Sequence, residues 1–233
     1  MKAFLLAAGI GSRLQPITDR VPKCMVQIGE RPLLDIWLDA FGRAGVDEVT
    51  VNVHHLPDVV MTHLAQRTGA PVVRTFLEPD LLGSAGTLRA NRQWVTGEEM
   101  FLVCNADNLT TFDLRALIDA HRERRVIATL TAFHSEDPSA GGVLQLGPDG
   151  RVTGFEEKPA HPASDLVNAG MYAFHPDVLD EIGTEMPADI GYHLLPRLVS
   201  RAFAVPVECY FRDIGTVQTY QRAREEWPVL ASG

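Results

Sequence analysis

The sequence predicts an α/β fold: a Rossmann-like, mostly parallel twisted sheet with helices on both faces and a β-rich insertion in its second half. Apolar segments alternate with amphipathic ones from residue 1 to about residue 133, as they do where βα units build a parallel sheet. After residue 134 the pattern changes to short strands separated by Gly, Pro and Asp turns. With 45% hydrophobic and 22% charged residues, the 233-residue chain can fill a core of that size.

The first half is predicted to alternate strand and helix from its start. Lys2–Ala8 is apolar and stops at Gly9, as a buried strand does. Pro32–Ala44 carries its apolar residues at helical spacing and is followed by Gly45. The elements expected next are strand Glu48–Val53, helix Pro57–Gln66, strand Pro71–Phe76, helix Ser84–Trp94, strand Met100–Cys104, helix Phe112–Arg124 and strand Val126–Phe133.

The second half is predicted to contain shorter elements within the same domain, which spans residues 1–233. Turn sequences such as Pro148-Asp149-Gly150 separate its first strands. The expected elements are strands Gly141–Leu146, Arg151–Phe155 and Val167–Phe174, helix Gly191–Arg201, strand Phe203–Tyr210 and helix Val217–Glu226. In α/β sheets of this kind, ligands bind at the carboxyl ends of the strands.

Charge and cysteine content narrow the range of functions. The net charge of −9 disfavours a nucleic-acid-binding protein, which needs a basic surface. Three cysteines provide no disulfide framework and are typical of a reducing cytoplasm. No apolar run approaches the roughly 20 residues that cross a bilayer. We therefore expect a soluble cytoplasmic protein without nucleic-acid or membrane partners.

The segment from Gly9 to Lys23 predicts a phosphate-binding loop. Two closely spaced glycines after a buried strand let backbone N–H groups approach an anion. A dinucleotide fingerprint would need a third glycine where Leu14 stands, and no Gly-Lys-Ser/Thr follows to make a P-loop. The pattern G-x-G-x-R-L-x-P-x-T-x-x-x-P-K, in contrast, is matched at Gly9, Gly11, Arg13, Leu14, Pro16, Thr18, Pro22 and Lys23.

Together with later motifs, this pattern resembles the nucleoside-diphosphate-sugar pyrophosphorylase, or sugar-1-phosphate nucleotidylyltransferase, family. The later motifs are Leu82–Gly86, Asn105-Ala106-Asp107, Glu157-Lys158-Pro159, Asn168-Ala169-Gly170 and Asp213–Thr216. The chain is most similar to short bacterial mannose-1-phosphate and heptose-1-phosphate guanylyltransferases. The resemblance implies a nucleotide-binding lobe over about residues 1–133, a sugar-phosphate-binding lobe over about 134–233, and a homodimer.

The resemblance also implies a role for each motif residue. Arg13, Lys23 and Asp107 are expected to be catalytic, and Asp107 and Asp213 to bind Mg²⁺. The expected nucleotide-binding residues are Leu6, Ala7, Ala8, Gly9, Gly11, Ser12, Arg13, Lys23, Glu78, Gly83, Gly86 and Asn105. The expected sugar-phosphate-binding residues are Asn108, Gly142, Glu157, Lys158, Asn168 and Gly170.

The implied reaction joins a nucleoside triphosphate to a sugar 1-phosphate and releases pyrophosphate. A phosphate monoester with a second pKa of about 6 is already an anionic nucleophile at neutral pH, so the enzyme needs positive charge and alignment more than a general base. Glu78 could accept two hydrogen bonds from guanine, which favours GTP with mannose 1-phosphate or a heptose 1-phosphate. A UTP- or CTP-using relative that acts on another sugar or polyol phosphate, and a non-catalytic nucleotide-sugar-binding regulatory protein, remain alternatives.

Overall fold

A computed structural model describes residues 1–231 of the chain, and the side chains of residues 1–227. The strands are β1 (Lys2–Leu6), β2 (Gln27–Ile28), β3 (Arg31–Pro32), β4 (Glu48–Val53), β5 (Val72–Leu77), β6 (Phe101–Asn105), β7 (Asn108–Thr110), β8 (Ala128–His134), β9 (Gly142–Leu146), β10 (Val152–Glu157), β11 (Leu166–Phe174), β12 (Ala202–Pro206) and β13 (Phe211–Asp213). The α-helices are α1 (Leu33–Arg43), α2 (Pro57–Ala65), α3 (Ser84–Ala90), α4 (Arg92–Val95), α5 (Leu114–Arg124) and α6 (Val217–Ala231). Short 3-10 turns cover Ser12–Leu14, Ile17–Asp19, Lys23–Met25, Pro138–Ala140, Pro176–Glu181 and Leu195–Leu198, and a π-helical turn covers Ile190–Leu194.

Nine strands form one sheet, ordered β10-β9-β11-β6-β1-β4-β5, with β8 and β12 joined to it through β11. The neighbours β6, β1, β4 and β5 are parallel. β11 runs antiparallel to β6 and to β8, and β9 pairs antiparallel with β10. The predicted fold class is confirmed: a parallel core extends into a β-rich part built from the second half of the chain.

Helices cover both faces of this sheet because side chains alternate along each strand. On β1, Ala3 and Leu5 join the core that includes Leu34 of α1 and Leu117 of α5. Phe4, between them, points into the second core, with residues of α3 and α4. Every one of these β1 side chains is fully buried, so a one-residue slip of the strand would exchange the contents of two cores.

The predicted helix Gly191–Arg201 is wrong. The chain makes a π-helical turn and then a 3-10 turn there, and β12 begins at Ala202. Pro196 lies inside the predicted helix, and without an N–H it cannot extend a regular ladder. Likewise, the predicted strand Phe203–Tyr210 ends at Pro206, and Phe211–Asp213 forms a separate strand.

Two further differences from prediction are local. The predicted helix Ser84–Trp94 is broken at Asn91, whose side-chain amide donates to the carbonyl oxygen of Thr87 at 3.0 Å. The two small sheets, β2 with β3 and β7 with β13, were not predicted, because strands of two or three residues are too short to show periodicity. No helix within the described residues is long and apolar enough to cross a membrane.

The site is positioned by strand ends that meet at one edge of the sheet. Leu6 pairs in register with Asn105, and the N–H of Ala106 donates to the carbonyl oxygen of Leu6 at 3.0 Å. The segment after β6 therefore lies beside the loop that follows β1 and contains Gly9 and Gly11, called the glycine loop below. Through the β7–β13 pairing, Asp213 lies opposite Asn108.

Candidate active site

The glycine loop keeps its backbone open to solvent. A Cβ added at Gly9 would find no atom within 4 Å, whereas Gly11 has a φ of +70° and abuts Thr18. The buried hydroxyl of Thr18 donates to the carbonyl oxygen of Gly11 at 2.8 Å and holds the turn. Within the described part of the chain, the N–H groups of residues 9–11 have no protein acceptor, so they are available to an anion.

Charged side chains converge beside this loop as a cluster of four: Arg13, Lys23, Asp107 and Asp213. The buried ammonium of Lys23 lies 2.5 Å from Oδ2 of Asp107. Asp107 is tied to the Asp213 strand because the N–H of Ile214 donates to its carbonyl oxygen at 2.8 Å. The Arg13 guanidinium completes the cluster, since a side chain added at Gly215 would press against both Arg13 and the Asp213 carboxylate.

The two carboxylates of the cluster influence each other. The pKa of Asp213 is raised, first because surrounding protein atoms displace part of its hydration and second because the Asp107 carboxylate is near. Lys23, Arg13 and the N–H of Gly215 act in the opposite direction. The side chain of Asp213 still reaches solvent. Two carboxylates held close together repel each other, so a cation bound between them would stabilise this part of the structure.

A polar cavity of about 260 Å³ is lined in part by Asn105, two residues before Asp107 of the cluster. Three of its polar lining residues were predicted to bind the sugar phosphate: Glu157, Lys158 and Asn168. A fourth, Asn105, was predicted to bind the nucleotide. The lining residues are Ser84, Asn105, Glu157, Lys158, Asn168, Tyr172, Asp189, Ile190, Gly191 and Tyr192. A polar cavity beside a phosphate loop suits a hydroxyl-rich second substrate.

Glycines make room for Glu157 at this cavity. An added Cβ at Gly142 would lie 2.7 Å from Oε2 of Glu157, and one at Gly191 would also clash with that carboxylate. The pKa of Glu157 is raised overall, mainly because the carboxyl is partly buried. The Lys158 ammonium acts in the opposite direction, and the nearby Asp189 carboxylate adds to the increase. Gly142 therefore has a steric reason in this structure, because a Cβ there would clash with the Phe155 ring at 2.5 Å as well as with Glu157.

The asparagines of the motifs mainly support the cavity wall. Asn108 is buried and its amide donates to the carbonyl oxygen of Ala169 at 2.8 Å. The Asn168 amide donates to the Tyr172 hydroxyl at 2.7 Å and accepts from the N–H of Gly170 at 3.1 Å. Gly170 has a φ of +70° and no room for a Cβ beside Asn105. Asn108 is thus placed as a support, not as a direct sugar contact.

Glu78 does not suit direct recognition of a base. Only 2% of it is exposed, and both carboxylate oxygens are occupied. Oε1 accepts from Asn52 at 2.9 Å and from Thr87 at 2.5 Å, and Oε2 accepts from the N–H of Leu82 at 3.1 Å. The prediction that Glu78 binds guanine is therefore not supported, because the buried carboxylate already bonds three protein groups and is shielded from the open cleft.

The glycines of the Leu82–Gly86 loop have packing roles in the structure. Gly83 has a φ of +78° and abuts the backbone of Ala188. The carbonyl oxygen of Ala188 accepts from Ala85 at 2.8 Å and from Gly86 at 3.0 Å. A Cβ at Gly86 would lie 2.7 Å from the sulfur of Met186. Both glycines therefore have a steric reason in the packing of this loop, and their predicted contact with the nucleotide stays a prediction.

Residues 2–228 match the model of a protein family described as nucleotidyl transferase. The chain belongs to the nucleotidyl transferase family. The matched residues include the glycine loop, the charged cluster and the polar cavity.

Curated relatives of the chain include two kinds of enzyme. A UTP–glucose-1-phosphate uridylyltransferase from a Synechocystis strain is 34% identical over 96% of the chain and 62% of its own length. A mannose-1-phosphate guanyltransferase beta-B from Xenopus laevis is 31% identical over 92% and 61%. The chain thus spans about three fifths of the length of these relatives.

Solved structures share the fold. A putative glucose-1-phosphate thymidylyltransferase from Bacillus anthracis aligns with a TM-score of 0.84 at 22% identity, covering 97% of this chain and 94% of that one. HddC from Yersinia pseudotuberculosis aligns with a TM-score of 0.82 at 22% identity, covering 97% and 99%.

The ligand types in the charged cluster suit Mg²⁺. Asp107 and Asp213 provide carboxylate oxygens, and no third acidic, histidine or cysteine ligand joins them among the described residues. Mg²⁺ usually takes one or two carboxylates and completes its shell with water and substrate phosphates. The repulsion between the two carboxylates is the feature that such an ion would relieve.

Sequence reasoning missed three residues of this region: Asn52, Thr87 and Asp189. Asn52 and Thr87 lie inside elements, and nothing in the sequence distinguishes them from other polar residues of a strand or helix. Asp189 lies two residues before the predicted helix Gly191–Arg201, in a segment for which no element was predicted. Only the tertiary structure brings them to the site.

Proposed function

We propose that the chain is a sugar-1-phosphate nucleotidylyltransferase, which converts a nucleoside triphosphate and a sugar 1-phosphate into a nucleotide sugar and pyrophosphate. The observation that carries the proposal is the charged cluster: Lys23 lies 2.5 Å from Asp107 beside an open glycine loop, with Asp213 and Arg13 around them. The neighbouring cavity with Glu157 and Lys158 supports a second substrate.

The chain's own residues would bind and align two anions. The N–H groups of residues 9–11 and the Arg13 guanidinium would hold the triphosphate, and Lys23 would exchange Asp107 for a phosphate oxygen. Lys158 would meet the sugar phosphate, and Glu157 would accept from a sugar hydroxyl. Held by Asp107 and Asp213, Mg²⁺ would supply charge neutralisation at the α-phosphate. No side chain needs to remove a proton from the nucleophile.

For the substrates, we propose GTP with mannose 1-phosphate or a heptose 1-phosphate. Guanylyl-transferring relatives support this choice: two Xenopus mannose-1-phosphate guanylyltransferases are similar over 92% of the chain. The Synechocystis relative, at 34% identity, favours UTP with a hexose 1-phosphate as the second candidate. A cytoplasmic location and a homodimer remain predictions.

The test is a substrate panel. We expect pyrophosphate release with GTP and at least one of the two proposed sugar phosphates, and less with UTP, CTP or ATP, at millimolar Mg²⁺. Each nucleotide is paired with mannose, heptose, glucose and polyol phosphates, and the product is identified by mass. Faster turnover with UTP would move the proposal to the second candidate. Nucleotide-sugar binding without pyrophosphate from any pair would indicate the regulatory protein.

The Glu157→Gln variant should mainly affect the sugar phosphate. The amide keeps the shape but cannot accept with both oxygens, so we expect KM for the sugar phosphate to rise by about tenfold, the value of one charged hydrogen bond. KM for the nucleotide should stay within about threefold of wild type. Glu156→Gln, at an exposed neighbouring position, is the control. Equal changes in both KM values would contradict the assignment of Glu157 to the sugar.

A further inference from the structure

Asn52 connects two separate segments that were predicted to hold the nucleotide. It is the second-last residue of β4, and only 4% of it is exposed. Its side-chain oxygen accepts from the N–H of Ala7, at the start of the glycine loop, at 2.6 Å. Its side-chain nitrogen donates to Glu78 at 2.9 Å and to Thr87 at 3.1 Å. The orientation of the amide is fixed, since its oxygen must face a donor and its nitrogen an acceptor.

The far side of this network holds the second segment, Leu82–Gly86. Glu78 accepts from the N–H of Leu82 at 3.1 Å. The hydroxyl of Thr87 lies 2.5 Å from Glu78 and 3.1 Å from the carbonyl oxygen of Gly83. Three buried side chains thus form a continuous hydrogen-bonded link from the glycine loop to the loop that opens α3.

The chemistry of this link is specific to an amide. A leucine would fill the space without bonding either partner, and an ionised aspartate could not donate to Glu78. Burying the Glu78 carboxylate among neutral donors is costly compared with apolar packing. Buried polar groups that are fully satisfied define one geometry, which an apolar contact does not.

We propose that Asn52 is a positioning residue for the nucleotide: its amide sets the spacing between the Ala7–Gly9 turn and the Leu82–Gly86 loop. This inference rests on the proposed function. Asn52 acts through the backbone of Ala7 and through Glu78. Of the residues that line the sugar cavity, Ser84 belongs to the Leu82–Gly86 loop, whereas Glu157, Lys158 and Asn168 lie on other elements. Loss of the link should therefore weaken nucleotide binding more than sugar-phosphate binding.

The first test compares Asn52→Leu with Thr50→Val. Thr50 lies on the same strand, is fully buried, and its hydroxyl has no partner among the described residues. We expect Asn52→Leu to raise KM for the nucleotide by about tenfold or more and KM for the sugar phosphate by less than about threefold. Thr50→Val should leave both KM values unchanged. Equal increases in both KM values for Asn52→Leu would overturn the proposal.

The second test uses pH with Asn52→Asp. The new carboxyl faces Glu78, and such a pair retains one proton to a higher pH than a single carboxyl does. The shared proton replaces the lost donor, so activity relative to wild type should rise as the pH falls from about 9 to about 6. His54 contacts the Glu78 carbonyl oxygen at 2.8 Å, but it is common to both proteins and cancels in the ratio. A ratio that is flat with pH would overturn the proposal.

Calorimetry of nucleotide binding separates this inference from the proposed function. If the wild type releases no pyrophosphate with any pair, the proposed function fails, yet weaker binding by Asn52→Leu would still support the positioning role. If neither Asn52 variant folds, Thr87→Val, which removes one hydroxyl of the same link, must show the selective loss of nucleotide affinity. Unchanged nucleotide affinity in a folded Thr87→Val variant would then refute the link.

Discussion

Replacing Lys23 by methionine should lower kcat/KM by about 10²–10³-fold, the usual cost of removing one preorganised charge-stabilising group. Lys23 is only 8% exposed and contributes its ammonium at the point where the glycine loop meets Asp107. Methionine keeps much of the side chain's length and apolar contact, so the variant removes mainly the charge. The Asp107 side chain is 32% exposed, and water can solvate it once its partner is gone. We therefore expect the variant to fold.

Steady-state kinetics with both substrates varied would measure this effect. The matched control is Arg20→Met, an exposed cation in the same segment, which should change kcat/KM by less than about threefold. Circular dichroism and thermal unfolding would confirm that both variants are folded. Turnover by a folded Lys23→Met variant close to that of wild type would show that the buried lysine only neutralises Asp107.

The part of the site that could be predicted follows from parallel strands. Lys23 and Asp107 are 84 positions apart in the sequence. Asp107 lies just after β6, and Lys23 ends the sequence pattern that begins after the parallel neighbour β1. The fold class predicts that the segments after these two strands meet at one edge of the sheet, and the family resemblance supplied the roles of Lys23 and Asp107. The glycine pattern indicated the type of ligand, and it has a steric basis at Gly11: glycine adopts the φ of +70° without strain, and a Cβ there would lie 2.9 Å from Thr18 Cγ2.

The part that could not be predicted depends on contacts with no local pattern. The resemblance paired Asp213 with Asp107, but the three-residue strands that hold the two residues together are too short to show periodicity. The carboxylate of Glu78 was expected to face a base. A single sequence does not reveal that Asn52 and Thr87 lie close enough to occupy it. Such side-chain pairings depend on tertiary structure, which local propensity and periodicity do not encode.

Asp213→Asn should separate metal binding from folding. Asparagine keeps the shape of the side chain but removes one of the two negative charges that would hold Mg²⁺. We expect turnover to fall by at least about 10²-fold. The metal-free variant should unfold at the same temperature as wild type or at a higher one, because the repulsion with Asp107 is removed. A substitution that only damaged the fold would lower both the turnover and the unfolding temperature of the metal-free protein.

Metal binding can be measured without turnover. Mn²⁺ accepts the same oxygen ligands as Mg²⁺ and can be followed by electron paramagnetic resonance, in parallel with the shift of thermal unfolding produced by Mg²⁺. Wild type should bind Mn²⁺ more tightly than Asp213→Asn, whereas Glu208→Gln, an exposed acid just before β13, should match wild type. If Asp213→Asn bound Mn²⁺ as well as wild type does, Asp107 alone would hold the ion. The raised pKa of Asp213 would then reflect only its crowded position beside a like charge.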